Sequence, residues 1–300
     1  MERRSFFEDQ RRNRRDSLLL ALIVSLVLFG LVYSIAYIFD PEALIVVLPL
    51  SILLIVVYTW SSYQYGDKVV LAATHAVPAE GPQFVYLNNV VEGLSIAAGI
   101  PPPKVYVVDS PEINAFATGK DSEHASIAVT TGALSALNRQ ELEGVVAHEI
   151  SHVRNKDVQF MTLIAVLVGL AAILSHIILR WGWFGARRSR RDKGGSGIEV
   201  VVLVLGILLA IIAPILTRLV QLTISRRREY LADASGAELT RYPEGLASAL
   251  EKIMRLNQGK MDVSEAVSHL FIADPNKSAL DALYATHPPL EERIKRLRQM

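Results

Sequence analysis

Apolar residues fall along this chain in long blocks separated by stretches of mixed polarity, and the blocks set the first expectations. Residues 17–39, 43–60, 158–179 and 198–217 are almost wholly apolar, each near the ~20 residues that an α-helix needs to cross ~30 Å of hydrocarbon. Four such blocks exceed what the core of one soluble domain uses, so an integral membrane protein with about four hydrophobic helices is expected. Asp40-Pro41 forms a tight joint between the first two. A cleaved signal peptide is the rival reading of the first block, because arginines precede it. The block is longer than an ordinary signal-peptide core and a second follows at once, so it reads as a retained helix.

Elsewhere the period changes. From 61 to 157 the pattern predicts a helix over 82–99, a turn at Pro101, Pro102 and Pro103, and strand-like stretches at Val105–Asp109, Asn114–Thr118 and Ser126–Thr131. Asn138 followed by Arg139, Gln140 and Glu141 has the form of an N-cap with a capping-box acid. Leu142, Val145, Val146, Ile150 and Val153 then recur at helical spacing, which predicts a helix over 139–156. After the fourth block, 223–300 reads as helices, with Pro243 at one start and Pro288-Pro289 opening the last.

The expected fold is therefore mostly α with a small β-sheet. Its segments are a basic N-terminus at 1–16, a two-helix membrane hairpin at 17–60 and the first part of a split soluble domain at 61–157. A second hydrophobic hairpin with a basic loop follows at 158–222, and the second part of the soluble domain at 223–300.

The helix over 139–156 carries the chemistry. His148-Glu149-Ile150-Ser151-His152 is an H-E-x-x-H run, and on a helix its two imidazoles lie on one face about 5–6 Å apart, able to reach one small cation. Glu149 lies about 100° around that helix, placed to take a proton from an attacking water and return it to a leaving amine. A catalytic zinc takes three protein ligands, so a third donor is required. His75, His124, His176 and His269 stand in no zinc-binding context. Glu229 opens the segment Glu229-Tyr230-Leu231-Ala232-Asp233 directly after the fourth block. Taken alone it is an ordinary solvated-face residue. Asp233, one turn on, is suited to orienting a ligand histidine through its other ring nitrogen.

Composition agrees with a membrane setting, at 51% hydrophobic and only 20% charged residues. The absence of cysteine excludes disulfides, thiolate ligands and a cysteine nucleophile. A net charge of +1 conceals clusters at Arg11, Arg12, Arg14 and Arg15 before the first block and at Arg226, Arg227 and Arg228 after the fourth. These clusters place the N-terminus and the soluble domain in the cytoplasm. The first reads as facing lipid headgroups, and no nucleic-acid partner is expected. The loop 180–197, with Arg187, Arg188, Arg190, Arg191 and Lys193, conflicts with this orientation. Either the rule is locally violated or the last two blocks form a hairpin that does not fully span the bilayer.

The paired N-terminal blocks, Asn114-Ala115-Phe116-Ala117, the H-E-x-x-H run, Glu229 with Asp233, and Thr286-His287-Pro288-Pro289 together resemble the HtpX-type membrane zinc metalloproteases, relatives of the CAAX prenyl proteases. The resemblance covers nearly the whole chain, with the motifs in the family's order. It implies a multi-pass plasma-membrane protein with a gluzincin-like catalytic domain facing the cytoplasm. It also implies one Zn2+ per subunit bound by His148, His152 and Glu229, with Glu149 as general base and acid. Asn114, Ala115, Phe116 and Ala117 would form the edge strand on which a protein or peptide substrate pairs. His287 and Arg293 would line the site and help to stabilise the developing oxyanion. The implied role is quality control of misfolded membrane proteins under stress, with substrates met at the lipid bilayer. A CAAX-type processing protease ranks second, because four blocks leave less material for a large intramembrane chamber. A catalytically inactive membrane scaffold ranks third, because His148, Glu149, His152 and Glu229 are all present.

Overall fold

Side chains that alternate with period two build a mixed sheet covered on both faces. The structure is a computed structural model, and it describes residues 44–166, 226–261, 263–275 and 288–300 together with isolated positions between 15 and 42. The sheet comprises β1 (Val77–Pro78), β2 (Lys104–Val108), β3 (Ala115–Gly119) and β4 (Ala125–Thr130) in the order β1-β2-β4-β3. β2 runs parallel to β4, while β1 and β3 run antiparallel to their neighbours. Ala115, Ala117, Ile127, Val129 and Val107 point into one apolar cluster, and Phe116, Ala128 and Val108 into another on the opposite face. Burial on both faces explains why these strands read as apolar runs.

Helices supply both covers. Among the described residues one helix is long and apolar enough to cross a membrane, α1 (Leu44–Ala73). Only 6% of its most apolar window is buried inside the protein, so it is not a core helix. It continues the second apolar block without a break, and the division expected at residue 60 falls inside it. Its last turns leave the apolar stretch and join the sheet, with Val70 and Leu71 packed beside Phe116, Met161 and Phe271. A Cβ added at Gly66 would stand 3.1 Å from Thr162 Cγ2 and 3.3 Å from Val166 Cγ2, so glycine lets α1 close on α5 (Asp157–Val166). The apolar blocks at 17–39 and 198–217, most of the block at 158–179, the basic loop 180–197 and the pair Thr286-His287 lie outside the described residues.

On the other face lie α2 (Val85–Ala98), the short α3 (Thr131–Ala136) and α4 (Arg139–Arg154), the helix of the H-E-x-x-H run. Its start is a capping box: Asn138 Oδ1 accepts from the Glu141 N–H at 3.0 Å, and Glu141 Oε2 accepts from the Asn138 N–H at 2.7 Å. Two donors that a helix start leaves unpaired are thereby satisfied. α6 (Arg226–Thr240), α7 (Pro243–Leu256), the single turn α8 (Glu265–Ser268) and α9 (Leu290–Leu297) complete the described helices.

Small residues set how closely these helices approach. At Gly144 an added Cβ would meet Leu246 N at 2.5 Å, and at Gly245 one would meet Gln140 O at 2.5 Å, so backbone touches backbone where α4 crosses α7. Gly236 gives α6 the same access to α4, its Cβ position lying 3.1 Å from His148 N. Gly93, in α2, has nothing within 4 Å of that position. Gly144→Ala is expected to destabilise the fold by roughly 1–3 kcal/mol or more through overpacking, and Gly93→Ala to stabilise it by about 0.5–1 kcal/mol through helix propensity. Thermal unfolding of the purified variants in detergent checks both, and opposite shifts in Tm are the expected outcome.

Candidate metal centre

α4 and α6 cross so that the two motif histidines face one carboxylate. Ala232 and Gly236, both buried and one turn apart on α6, let its backbone lie against that of His148. Glu229, one turn before Ala232, therefore projects between the two imidazoles. His148 Nε2 and His152 Nε2 are 3.2 Å apart, Glu229 Oε2 is 3.7 Å from the first, and Glu229 Oε1 is 3.6 Å from the second. Ligand atoms around a tetrahedral zinc with bonds of about 2.0–2.1 Å lie roughly 3.3 Å from one another. The three separations bracket that edge, so this donor set fits a zinc-sized cation.

Each imidazole has a carboxylate behind it. Asp233 Oδ1 lies 3.0 Å from His148 Nδ1, and Asp157 Oδ2 lies 3.2 Å from His152 Nδ1. An acceptor there keeps the proton on Nδ1 and presents Nε2 to a cation. Arg293 clamps Asp233 in turn. Its Nε donates to Oδ2 at 2.9 Å, its Nη2 to Oδ1 at 2.7 Å, and its Nη1 to the Ile272 carbonyl at 3.0 Å. With those donors engaged and the side chain fully buried, Arg293 is placed to hold Asp233 and, through it, His148. Its Nη1 also lies 3.6 Å from Glu229 Oε2.

The strand Ala115–Gly119 lies beside the site, and the Ala117 backbone is near enough to Glu149 to act downward on its carboxyl. Its outer edge is not open where the sequence suggested that a substrate would pair. Phe271 bridges Phe116 in antiparallel fashion, and the Ile272 N–H donates to the Ala115 carbonyl at 2.9 Å. Asn114 ties this segment down, its Nδ2 donating to the Ala273 carbonyl at 2.9 Å. His287 lies outside the described residues. Of the remaining histidines that are described, His269 is buried against the Met161 carbonyl and His124 pairs with Asp121 at the surface, both away from this cluster.

Burial acts on the protonation of His148, Glu149, His152 and Asp233. It drives His148 down to about 4, helped by the Arg293 charge and opposed by Asp233. It raises Glu149 to about 8, reinforced by the nearby Glu229 and opposed by His152 and Arg293. For His152 burial also works downward, but the Asp157 and Glu229 carboxylates outweigh it and raise the imidazole to about 9. Burial would raise Asp233, yet the Arg293 guanidinium holds it below the usual carboxylate range. In the metal-free site the proton on His152 and the proton on Glu149 are thus both favoured. A cation entering it displaces the first and favours loss of the second.

Residues 82–300 match the profile of peptidase family M48. The chain belongs to that family. This M48 chain is 45% identical over 300 residues to the "Protease HtpX homolog" of Caldanaerobacter subterraneus subsp. tengcongensis, covering 100% of this chain and 99% of the relative. It is 46% identical over 301 residues to the protein of the same name from Thermoanaerobacter pseudethanolicus, covering 100% and 99%. Among solved structures, that of S. mikatae Ste24p is similar in fold, with a TM-score of 0.50 at 20% identity over 95% of this chain and 66% of that one.

Two residues of this M48 site escaped the sequence reading, Asp157 and Arg228. Asp157 lies five positions after His152, beyond the end of α4, where no helical period links them. The one signal was an acid opening an apolar helix. Arg228 had been read only as part of a basic cluster.

The clamp on Asp233 yields a stability prediction. Arg293→Met is expected to cost roughly 3–5 kcal/mol, because it strands a buried carboxylate. Asp233→Leu combined with Arg293→Met should recover most of that loss. Asp233 is depressed in the fold, so its stabilisation is present above its unfolded value of about 4 and is lost as pH falls through the folded one. Urea unfolding of metal-free protein at neutral and acid pH checks these expectations, and the variant should lack the Asp233 share of the acid-induced loss.

Proposed function

We propose that the chain is a membrane-bound zinc endopeptidase that hydrolyses peptide bonds in polypeptides at the cytoplasmic face of the membrane. The observation that carries this reading is the meeting of His148, His152 and Glu229, with Glu149 on the next position of the same helix. His148, His152 and Glu229 hold one zinc ion, and the catalytic part is gluzincin-like. When bound, zinc polarises the scissile carbonyl and acidifies the attacking water.

The chain's own residues do the rest. Glu149 receives the proton of the water that adds to the carbonyl carbon and delivers it to the nitrogen of the departing amine, so each broken bond is matched by one formed. Its Oε1 is buried without a hydrogen-bond partner among the described residues, which leaves an acceptor free for that water. Asp157 and Asp233 keep the ligand imidazoles in the Nδ1–H tautomer, and Arg293 holds Asp233. A substrate strand that adds to β3 takes the place of Phe271 and Ile272 along Ala115 and Phe116, and Ala117 brings that strand to the edge of Glu149.

Misfolded membrane proteins are the substrates assigned here, in a quality-control role. Supporting this are the HtpX-type resemblance and the continuity of α1 with the catalytic sheet, which fixes the site beside an apolar helix. The cytoplasmic orientation rests on the arginine clusters at 11–15 and 226–228.

Two substitutions separate binding from turnover. Glu149→Gln is expected to retain about one zinc per chain while slowing cleavage of casein by about 10²–10⁴-fold. Glu229→Ala is expected to lose zinc, and chelation of the wild type should stop cleavage until zinc is restored. Metal content measured beside proteolysis in detergent checks this, and undiminished cleavage by Glu149→Gln overturns its role.

A further inference from the structure

The chain enters and leaves the segment 167–225 at two helices that meet beside His152. α5 begins at Asp157 directly before the third apolar block, and α6 begins at Arg226 after the fourth. Their first turns are in contact. Asp157 places Oδ2 3.2 Å from His152 Nδ1 and Oδ1 3.9 Å from Arg228 Nε. The Arg228 guanidinium also lies over the Phe160 ring, 4.5 Å from its centroid. Only 2% of the Asp157 side chain and 12% of the Arg228 side chain is exposed.

We propose that Asp157 is a positioning residue for the ligand His152, that Arg228 holds Asp157 in place, and that both ends of the intervening hydrophobic segment thereby act on the metal centre. This rests on the zinc reading given above. An imidazole that ligates through Nε2 donates its Nδ1–H to an acceptor, and that acceptor fixes the ring and raises its basicity. His148 has such an arrangement in Asp233 backed by Arg293, and His152 has a second in Asp157 backed by Arg228.

The two arrangements differ in their anchorage. Arg293 comes from α9, which packs on α6 and α7. Arg228 and Asp157 stand on the two described helices that flank the segment 167–225, so the spacing of those helices sets the distance between them. An acid in a first helical turn is favoured by the helix dipole whatever its neighbours. That alone does not account for one oxygen facing His152 and the other facing the guanidinium of a helix seventy positions on in the chain.

Zinc release from the full-length protein in detergent, followed with a chromophoric chelator and beside thermal unfolding, tests the proposal. Asp157→Asn and Asp157→Ala are expected to weaken zinc binding by about 10–100-fold, with correspondingly faster release. Arg228→Met should speed release several-fold, and Arg228→Lys, which keeps the charge, should stay near the wild type. In the Asp157→Asn background Arg228→Met should add nothing, because its effect passes through the carboxylate. Wild-type release from the Asp157 variants, with only a lowered Tm, overturns the proposal, and independent additive effects overturn the Arg228 link. Should the Asp157 variants fail to fold, the contrast between Arg228→Met and Arg228→Lys at matched Tm decides. A wild type that binds no zinc overturns the metal reading itself, and the positioning proposal falls with it. Bound zinc released at an unchanged rate defeats the positioning proposal alone.

Discussion

Charge buried away from water is the constraint on which this structure turns. Glu149, Asp157, Glu229 and Asp233 are each at most 2% exposed, and they converge on two guanidiniums, Arg228 and Arg293, and two imidazoles. An isolated ion in such surroundings costs several kcal/mol, and among the described residues four carboxylates face two guanidiniums, so further positive charge is favoured there. In the metal-free chain these surroundings favour the protonated forms of His152 and Glu149, whose values rise to about 9 and about 8. A divalent cation between His148, His152 and Glu229 would supply positive charge to the same surroundings and favour the ionised form of Glu149. On the proposed reading, metal binding and the state of Glu149 answer to one electrostatic balance.

Geometry decides where that balance is struck. Gly144 against Leu246, Gly245 against Gln140, and Gly236 against His148 bring α4, α6 and α7 to backbone contact, which is what carries Glu229 to its place between the histidines. The membrane side is joined just as closely. Val70 and Leu71 of α1 pack beside Phe116 of β3, and the backbone of the next residue of that strand, Ala117, lies close to Glu149. The apolar helix is therefore packed directly against the sheet that borders the metal-site cluster.

What was legible in the sequence were local patterns. The capping box at Asn138 and Glu141, the helical period of Leu142 to Val153 and the apolar strand runs are short-range signals, and the structure carries each of them. Two features were illegible because the contacts that create them are not local. Asp157 reaches His152 only because the chain reverses at Lys156, which takes a left-handed φ of 61° that no periodicity announces. Arg293, placed near the site only by the family resemblance, finds Asp233 across sixty positions, a partner that no local pattern announced. The continuation of α1 to Ala73 was hidden differently: Ser61, Ser62, Gln64, Asp67 and Lys68 end the apolar composition, while the helix itself goes on. The edge of β3 was read as free because Phe271 and Ile272, which pair with it, lie more than a hundred and fifty positions away.

The zinc K-edge X-ray absorption spectrum of the purified full-length protein tests the central claim most directly, because it reports the ligand atoms whether or not turnover occurs. The account predicts about one zinc per chain with nitrogen and oxygen neighbours at roughly 2.0–2.1 Å, and outer-shell scattering from two imidazoles. Zinc absent from the protein, or scattering from fewer than two histidines, would contradict it.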